Sequence, residues 1–401
     1  MTVRTDVVVI GGGYAGVLAA NRLTQRDDVT VTLINPRPRF VERIRLHQLV
    51  GGTDDAVVEY RDVLADAVRL VVGTVTLVDT ADRTVRLSDG TSLGYDYLIY
   101  AVGSGQADRR VPGAAEHTYP IATLEDAQRL DRALSATPAT AQVTVVGGGP
   151  LGIETAAELA EAGRRVTLVC GGPLGPYLHP RGRRSVARDL ARLGVTVLDG
   201  AGSRVTSVTG RSVILQDGRE LGGDVIVWAA GFTVPDLAAR SGLSTDAMGR
   251  LLTDETLTSV DDVRVVAAGD AAAPSDVPYR MSCQAAVQLG PVAADTVLSR
   301  IAGEQPAPLA VANAAQCISV GRRAGIYQFG HRDDTATRFH IGGRAGAWVK
   351  ELVCSGILKM VAREARRPGS LTFTSFATDK SRRRRVEAAD AGDARATEHA
   401  A

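Results

Sequence analysis

Apolar and polar positions along this chain fall into a few recurring patterns. Short unbroken apolar runs end on small residues: "DVVVI" at 6–10, "VTLI" at 31–34, "YLIY" at 97–100, "VTVV" at 143–146 and "VTLV" at 166–169. Such runs, rich in β-branched residues, predict strands buried on both faces. Asp-Gly between alternating apolar residues, in "VRLSDGTSL" and "VILQDGREL", predicts two hairpins. Beyond Pro306 the pattern changes. "QCISVGRRAGIYQF" predicts short antiparallel strands, and "GAWVKELVCSGILKMVARE" predicts one helix.

The patterns repeat. "DVVVIGGGYAGVLAANRL" (6–23) and "QVTVVGGGPLGIETAAEL" (142–159) both read as strand, glycine turn, helix. The stretch 85–103 aligns without a gap on 213–231. Each copy carries Gly-x-Gly-x-x-Gly, at Gly11, Gly13 and Gly16 and at Gly147, Gly149 and Gly152. The first glycine permits a tight turn, the second lets a diphosphate approach the backbone, and the third packs helix on strand. The expected fold class is therefore α/β. It comprises two tandem Rossmann-like (three-layer ββα) dinucleotide-binding domains with inserted antiparallel meanders, plus a small C-terminal α+β region. Turn composition places the first, discontinuous domain at 1–110 and 245–305, with "VDDVRVVAAGD" returning to its sheet. The second domain is expected at 111–244 and the C-terminal region at 306–376. A disordered tail is expected at 377–401, where apolar periodicity ends.

Composition adds exclusions. A formal net charge of +1 leaves no global field to draw the chain to nucleic acid. Four cysteines stand apart at 170, 283, 317 and 354, without CxxC or metal-ligand spacing, so no metal is expected. The expected setting is the reduced cytoplasm, with the inner face of the cell membrane as a second place of contact. The first strand follows Arg4 directly, which leaves no room for a signal peptide.

The ribose positions break the pattern. An acid is expected ~20 residues beyond each turn. Asn35 and Cys170 stand there instead. Asn35 can accept one ribose bond and donate another, whereas Cys170 is a poor acceptor. Removing the carboxylate also removes repulsion against a 2′-phosphate. Arg164 and Arg165, or Arg181, Arg183 and Arg184, either reach such a phosphate or form a solvated face.

With the first glycine turn, "YAVG" (100–103), "WAAG" (228–231) and "AAGD" (267–270) in that order, the chain resembles the two-dinucleotide flavoproteins of the pyridine nucleotide-disulfide oxidoreductase superfamily. Over roughly residues 5–305 it looks most like type II NADH:quinone oxidoreductases and apoptosis-inducing-factor-like quinone reductases. The resemblance implies FAD on the first unit and NADH or NADPH on the second. FAD would be held through Gly11, Gly13, Tyr14, Ala15, Gly16, Asn35, Pro36, Arg37, Arg45, Ala101, Gly103, Gly269 and Asp270. The pyridine nucleotide would be held through Gly147, Gly149, Gly152, Cys170 and Gly231. It further implies Glu154 near nicotinamide and flavin, and a quinone-like acceptor at Gln284 and Gln288 of "CQAAVQLG". The chain departs from the family at both ribose acids and at Val102, where a threonine is expected.

Several residues keep two readings. His47, on a predicted helix in "FVERIRLHQ", either shuttles a proton or packs structurally. Gln284 and Gln288, four apart and so on one helical face, either meet a quinone carbonyl or form a surface pair. Glu154 either bridges the two rings or complements a helix dipole. The basic stretch 348–367 either lies on a membrane, or on a second copy of the chain, or packs on its own domain. "FVERIRLHQ" lacks the CxxxxC of a disulfide reductase, which argues against disulfide reduction. The leading expectation is an FAD-dependent oxidoreductase passing hydride from NAD(P)H to a quinone-like acceptor. Its alternatives are an FAD enzyme acting on a small metabolite and a flavin-bound redox-sensing protein with negligible turnover.

Overall fold

A computed structural model of the chain describes residues 4–105, 109–313, 315–372, 379 and 381–389. Two five-stranded parallel sheets organise it. The first runs Val265–Ala267, Tyr97–Tyr100, Thr5–Ile10, Val29–Asn35, Val68–Val72. The second runs Tyr119–Pro120, Val225–Trp228, Gln142–Val146, Arg165–Val169, Thr196–Leu198. The middle strand of each sheet is the one that feeds a glycine turn. Its last residue faces equivalent partners in both units: Ile10 lies between Ile34 and Tyr100, and Val146 between Val169 and Trp228. Val7 to Ile10 and Val143 to Val146 are buried, as unbroken apolar runs require. Each unit carries a three-stranded antiparallel meander, Val75–Asp79 to Ser92–Gly94 and Val205–Val208 to Glu220–Gly222.

The helix after the first turn, Tyr14–Leu23, is buried along almost its whole surface because it lies between the first sheet and the helix Cys283–Ile301. The two helices nearly touch by backbone: a Cβ at Gly290 would sit 2.4 Å from the Ala15 carbonyl oxygen. Arg22 ties a third helix to this pair, donating to Asp295 and to Glu364 of the helix Gly343–Arg366. Before that helix the chain forms a three-stranded antiparallel sheet, Ala315–Val320, Ala324–Gly330, Ala336–Gly342. Trp348, Leu352 and Phe339 remain exposed there, and among the described residues no helix is long and apolar enough to cross a membrane.

Two expectations are corrected. "FVERIRLHQ" is not one helix: Arg39–Val41 is a strand paired with Val57–Glu59, and a 3-10 turn precedes the short helix Leu46–Val50. Strand pairing at Phe40 and Val41 overrides the helical spacing. Within the expected disordered tail, residues 382–389 are helical and Arg382 is buried against Glu255. Residues 377–378, 380 and 390–401 lie outside the described residues.

Gly290→Val should destabilise the protein by about 1–3 kcal/mol, the usual effect of overpacking. Thermal unfolding of the flavin-loaded variant checks this; an unchanged midpoint would mean the helices do not meet backbone to backbone.

Candidate active site

The carboxyl ends of the two sheets open on one cavity of about 1210 Å³. This exceeds the ~300–1,000 Å³ of an ordinary small-molecule pocket. Both glycine turns line it, and their glycines divide into two kinds. A Cβ at Gly16 or Gly152 would lie 1.8 Å from the carbonyl oxygen of Gly11 or Gly147, so the third glycine of each turn serves packing. A Cβ at Gly11 would meet the Ala101 oxygen at 2.2 Å, and Gly11 and Gly147 both have positive φ. At Gly13 and Gly149 a Cβ would meet nothing within 4 Å. Each middle glycine is therefore open towards the cavity, at the start of a helix whose first N–H groups are unpaired. That is what a diphosphate needs, and the residues present fit two dinucleotides.

Of the residues expected to hold the first dinucleotide, Gly11, Gly13, Tyr14, Ala15, Asn35, Arg37, Ala101, Gly103, Gly269 and Asp270 line the cavity. Gly16 and Pro36 do not line it, and Arg45 points away into an ion pair with Glu351 at 2.7 Å. Asn35 is partly spent on the turn itself: its Oδ1 accepts from the Gly12 N–H at 2.9 Å, and its Nδ2 donates to the Arg37 carbonyl. Arg37 reaches across to the second unit with a two-pronged bond to Glu125. Asp270 is held between the Ser104 hydroxyl at 2.6 Å and the Ser282 N–H at 3.1 Å, and Arg43 stands 3.9 Å away.

On the second unit Gly147, Gly149, Cys170 and Gly231 line the cavity, and Gly152 packs behind them. Burial pushes the Cys170 thiol up to about 12, so it meets the cavity uncharged at pH 7. Arg164 is committed to the carbonyls of Leu134, Thr137 and Pro138, and Arg183 to those of Gly175 and Pro176. Arg181 and Arg184 are exposed.

The cavity wall also holds a buried ion pair. Lys350 Nζ lies 3.0 Å from Glu154 Oε1, and both residues line the cavity. The Ser319 N–H donates to the same oxygen at 3.1 Å. Burial alone would raise the Glu154 carboxyl, but the Lys350 ammonium, His47 and the Ser319 N–H outweigh it and hold the carboxyl below its ordinary value. Burial likewise disfavours the Lys350 charge, and Glu154 more than restores it. His47 does not reach the cavity. It stands behind Glu154, with Nδ1 at 3.7 Å, too long for a hydrogen bond. Burial drops it to about 4, so it is neutral at pH 7. Gln284 lines the cavity, whereas Gln288 turns away and donates to the Ala312 carbonyl at 3.2 Å. The two amides therefore do not face the cavity together.

Some lining residues escape the motif-based reading. Lys350, on a helix whose spacing predicts only a basic face, is a buried cation of the site, paired with Glu154. Cys283, Cys317 and Cys354 come from three separate elements and all line the cavity. Burial raises all three thiols, that of Cys354 to about 11, and protonated thiols are poor nucleophiles.

A model of the pyridine nucleotide-disulphide oxidoreductase family matches residues 5–290. The chain belongs to that family. It is a flavoprotein oxidoreductase whose cofactors are FAD and a nicotinamide adenine dinucleotide. It is 31% identical over 356 residues to an NADH dehydrogenase-like protein of Mycobacterium tuberculosis, covering 81% of this chain and 88% of that one. It is 30% identical over 352 residues to the type II NADH:quinone oxidoreductase Ndh of the same organism, covering 76% of this chain and 74% of that one. In fold it is similar to the sulfide:quinone oxidoreductase of Aquifex aeolicus, with a TM-score of 0.76, 19% identity and coverage of 91% and 93%. It is also similar to NDH2 of Plasmodium falciparum, with a TM-score of 0.74, 15% identity and coverage of 92% and 100%.

Two outcomes follow. Gly13→Val should fold but purify with little flavin, while Gly149→Val should keep its flavin and lose affinity for the nucleotide; equal flavin content in both would contradict the division of the turns. Glu158, one helical turn beyond Glu154, is raised by burial from 4.5 to about 7. The folded state therefore holds a proton that the unfolded chain releases across that window, and stability falls as pH rises through it. Glu158→Gln should raise the melting temperature at pH 8 and leave it unchanged at pH 4; a constant offset would contradict the shift.

Proposed function

We propose that this enzyme passes a hydride equivalent from NADH through FAD to a quinone-like acceptor, which enters beside Lys350 and Gln284. The observation that carries the reading is the Lys350–Glu154 pair at the floor of a cavity shared by both nucleotide turns. The flavin, when bound, supplies two-electron chemistry between the nucleotide and the acceptor. The first-unit turn would hold its diphosphate at Gly13, with Asp270, Ser104 and Ser282 beside it. The second-unit turn would hold NADH at Gly149.

The acceptor's needs match the remaining wall. Reducing a quinone by hydride equivalents also requires one proton at a carbonyl oxygen. Lys350 holds protons on Nζ at the cavity surface, and Glu154 keeps that ammonium charged where burial would discharge it. Lys350 donates a hydrogen bond to the acceptor carbonyl, and the amide of Gln284 offers a second without adding charge. Val353, Ile357, Met281 and Met360 supply an apolar lining for a flat ring. Neutral His47 and the Ser319 hydroxyl back the carboxylate from behind. The apolar helix face at Trp348 and Leu352 is where we place contact with the membrane that stores such an acceptor.

Anaerobic NADH should bleach the oxidised flavin, and a short-chain quinone should restore its colour. No bleaching would remove NADH as donor; bleaching without reoxidation would remove the quinone. Lys350→Met should slow reoxidation by about 10²-fold, within the range of a lost donor to developing negative charge, and slow reduction by NADH far less. Equal slowing of both halves would contradict the acceptor-side role. Cys170→Glu should raise the preference for NADH over NADPH; an unchanged ratio would mean residue 170 does not face the ribose.

A further inference from the structure

Four consecutive arginines, Arg382 to Arg385, read as a solvated or lipid-binding run. The structure separates them. The side chain of Arg383 is 89% exposed, while Arg382 is 2% exposed. Its guanidinium lies beneath residues 274–279. Nε and Nη2 form a fork on Glu255, at 2.7 and 2.8 Å. Nη2 also donates to the Pro274 carbonyl and Nη1 to that of Val277, both at 3.1 Å. Its carbon Cζ stands 4.5 Å from the centre of the Tyr279 ring. Four donor contacts and one aromatic face leave a buried arginine well satisfied.

The strap it holds, residues 274–282, leads into the cavity. Pro278, Tyr279, Arg280 and Ser282 all line it. The strap is also strained at its start, where Ser275 and Asp276 have φ of 50° and 49°. Beyond that start it is pinned at three points. The Tyr279 hydroxyl donates to the Val311 carbonyl. Arg280 forks onto Asp334 at 2.6 and 2.8 Å. The Ser282 N–H meets Asp270. Arg280 also stacks over Tyr177 of the second unit, 5.1 Å from its ring centre. The loop that carries Tyr177 is tied to the second glycine turn by the Gly175 N–H on the Gly148 carbonyl.

We infer that Arg382 is a positioning residue for the nucleotide site: by clamping the strained start of the strap it fixes Arg280 against Tyr177 and so shapes the mouth through which NADH reaches the Gly147–Gly149 turn. The inference rests on the assignment of that turn to NADH. The described residues 381–389 are thus tied to the strap that lines the cavity, and Arg382 is unavailable to lipid. The clamp needs a fork rather than a point charge, because one guanidinium serves a carboxylate and two carbonyls together.

The test uses the full-length, flavin-loaded chain with Arg382→Gln, Arg382→Lys and the exchange Arg382→Glu with Glu255→Arg. Trypsin cleavage after Arg280 is measured against cleavage after Arg83, which is exposed in the first meander. In Arg382→Gln that ratio should rise about tenfold, as selective local opening requires. The NADH concentration giving half-maximal anaerobic flavin reduction should also rise about tenfold, with the limiting rate changed less than about twofold. Arg382→Lys should fall between, and the exchange should recover part of the loss. An unchanged ratio, or equal gains at both sites, would overturn the inference. If NADH fails to reduce even the unaltered protein, the proposed donor falls, and the cleavage ratio still decides whether Arg382 holds the strap.

Discussion

Two gaps in the side-chain surface, at Gly13 and Gly149, govern this molecule. Each lies where a parallel strand ends and a helix begins without a side-chain cap, and a Cβ there would meet nothing within 4 Å. Each depends on neighbours that also lack side chains: Gly11 and Gly147 make the turn, and Gly16 and Gly152 let the helix close on it. Because both sheets direct their carboxyl ends at one cavity, the two gaps face a shared space. A long nucleotide laid on each turn brings its reactive ring toward the same floor. The duplication is therefore functional geometry, since one unit alone would hold a cofactor with nothing to exchange electrons with.

The floor of that space is built by the part of the chain outside the repeat. Lys350 arrives on the C-terminal helix and Ser319 on the C-terminal sheet, and both converge on Glu154 of the second nucleotide helix. A buried ion pair gives little net stability, because desolvation offsets most of the attraction. Its value lies in charge kept in place: the carboxylate stays ionised and the ammonium stays protonated in a buried site. Breaking it from one side costs about 3–5 kcal/mol, so the C-terminal region is bound to the nucleotide units by the same contact that equips the cavity.

Much of this was legible in the residues. The unbroken β-branched runs marked the central strands, and "SDG" and "QDG" marked both meanders. The small-residue ends "YAVG", "WAAG" and "AAGD" marked the strand tips that line the cavity. What stayed hidden depended on distance in sequence. Lys350 sits on a helix with an ordinary basic face, and only tertiary packing shows that it meets a carboxylate nearly two hundred positions earlier. Residue type alone left His47 either a proton carrier or a packing residue, and only the tertiary structure shows it buried, neutral and behind Glu154. Gln284 and Gln288 share a helical face by spacing, yet the Ala312 carbonyl captures one of them. Arg382 was hidden by its neighbours, since a run of four identical residues gives no sign that one is swallowed. The predicted helix over 40–48 failed because strand pairing at Phe40 outweighs local periodicity.

The central claim is that both nucleotides meet above the Lys350–Glu154 floor, and a structure of the reduced protein with bound NAD⁺ tests it most directly. The account predicts nicotinamide C4 within about 3.5 Å of flavin N5, the spacing of a near-attack geometry, with the Glu154 carboxylate alongside. A nucleotide bound away from the Gly147–Gly149 turn, or rings held apart by an intervening side chain, would contradict it.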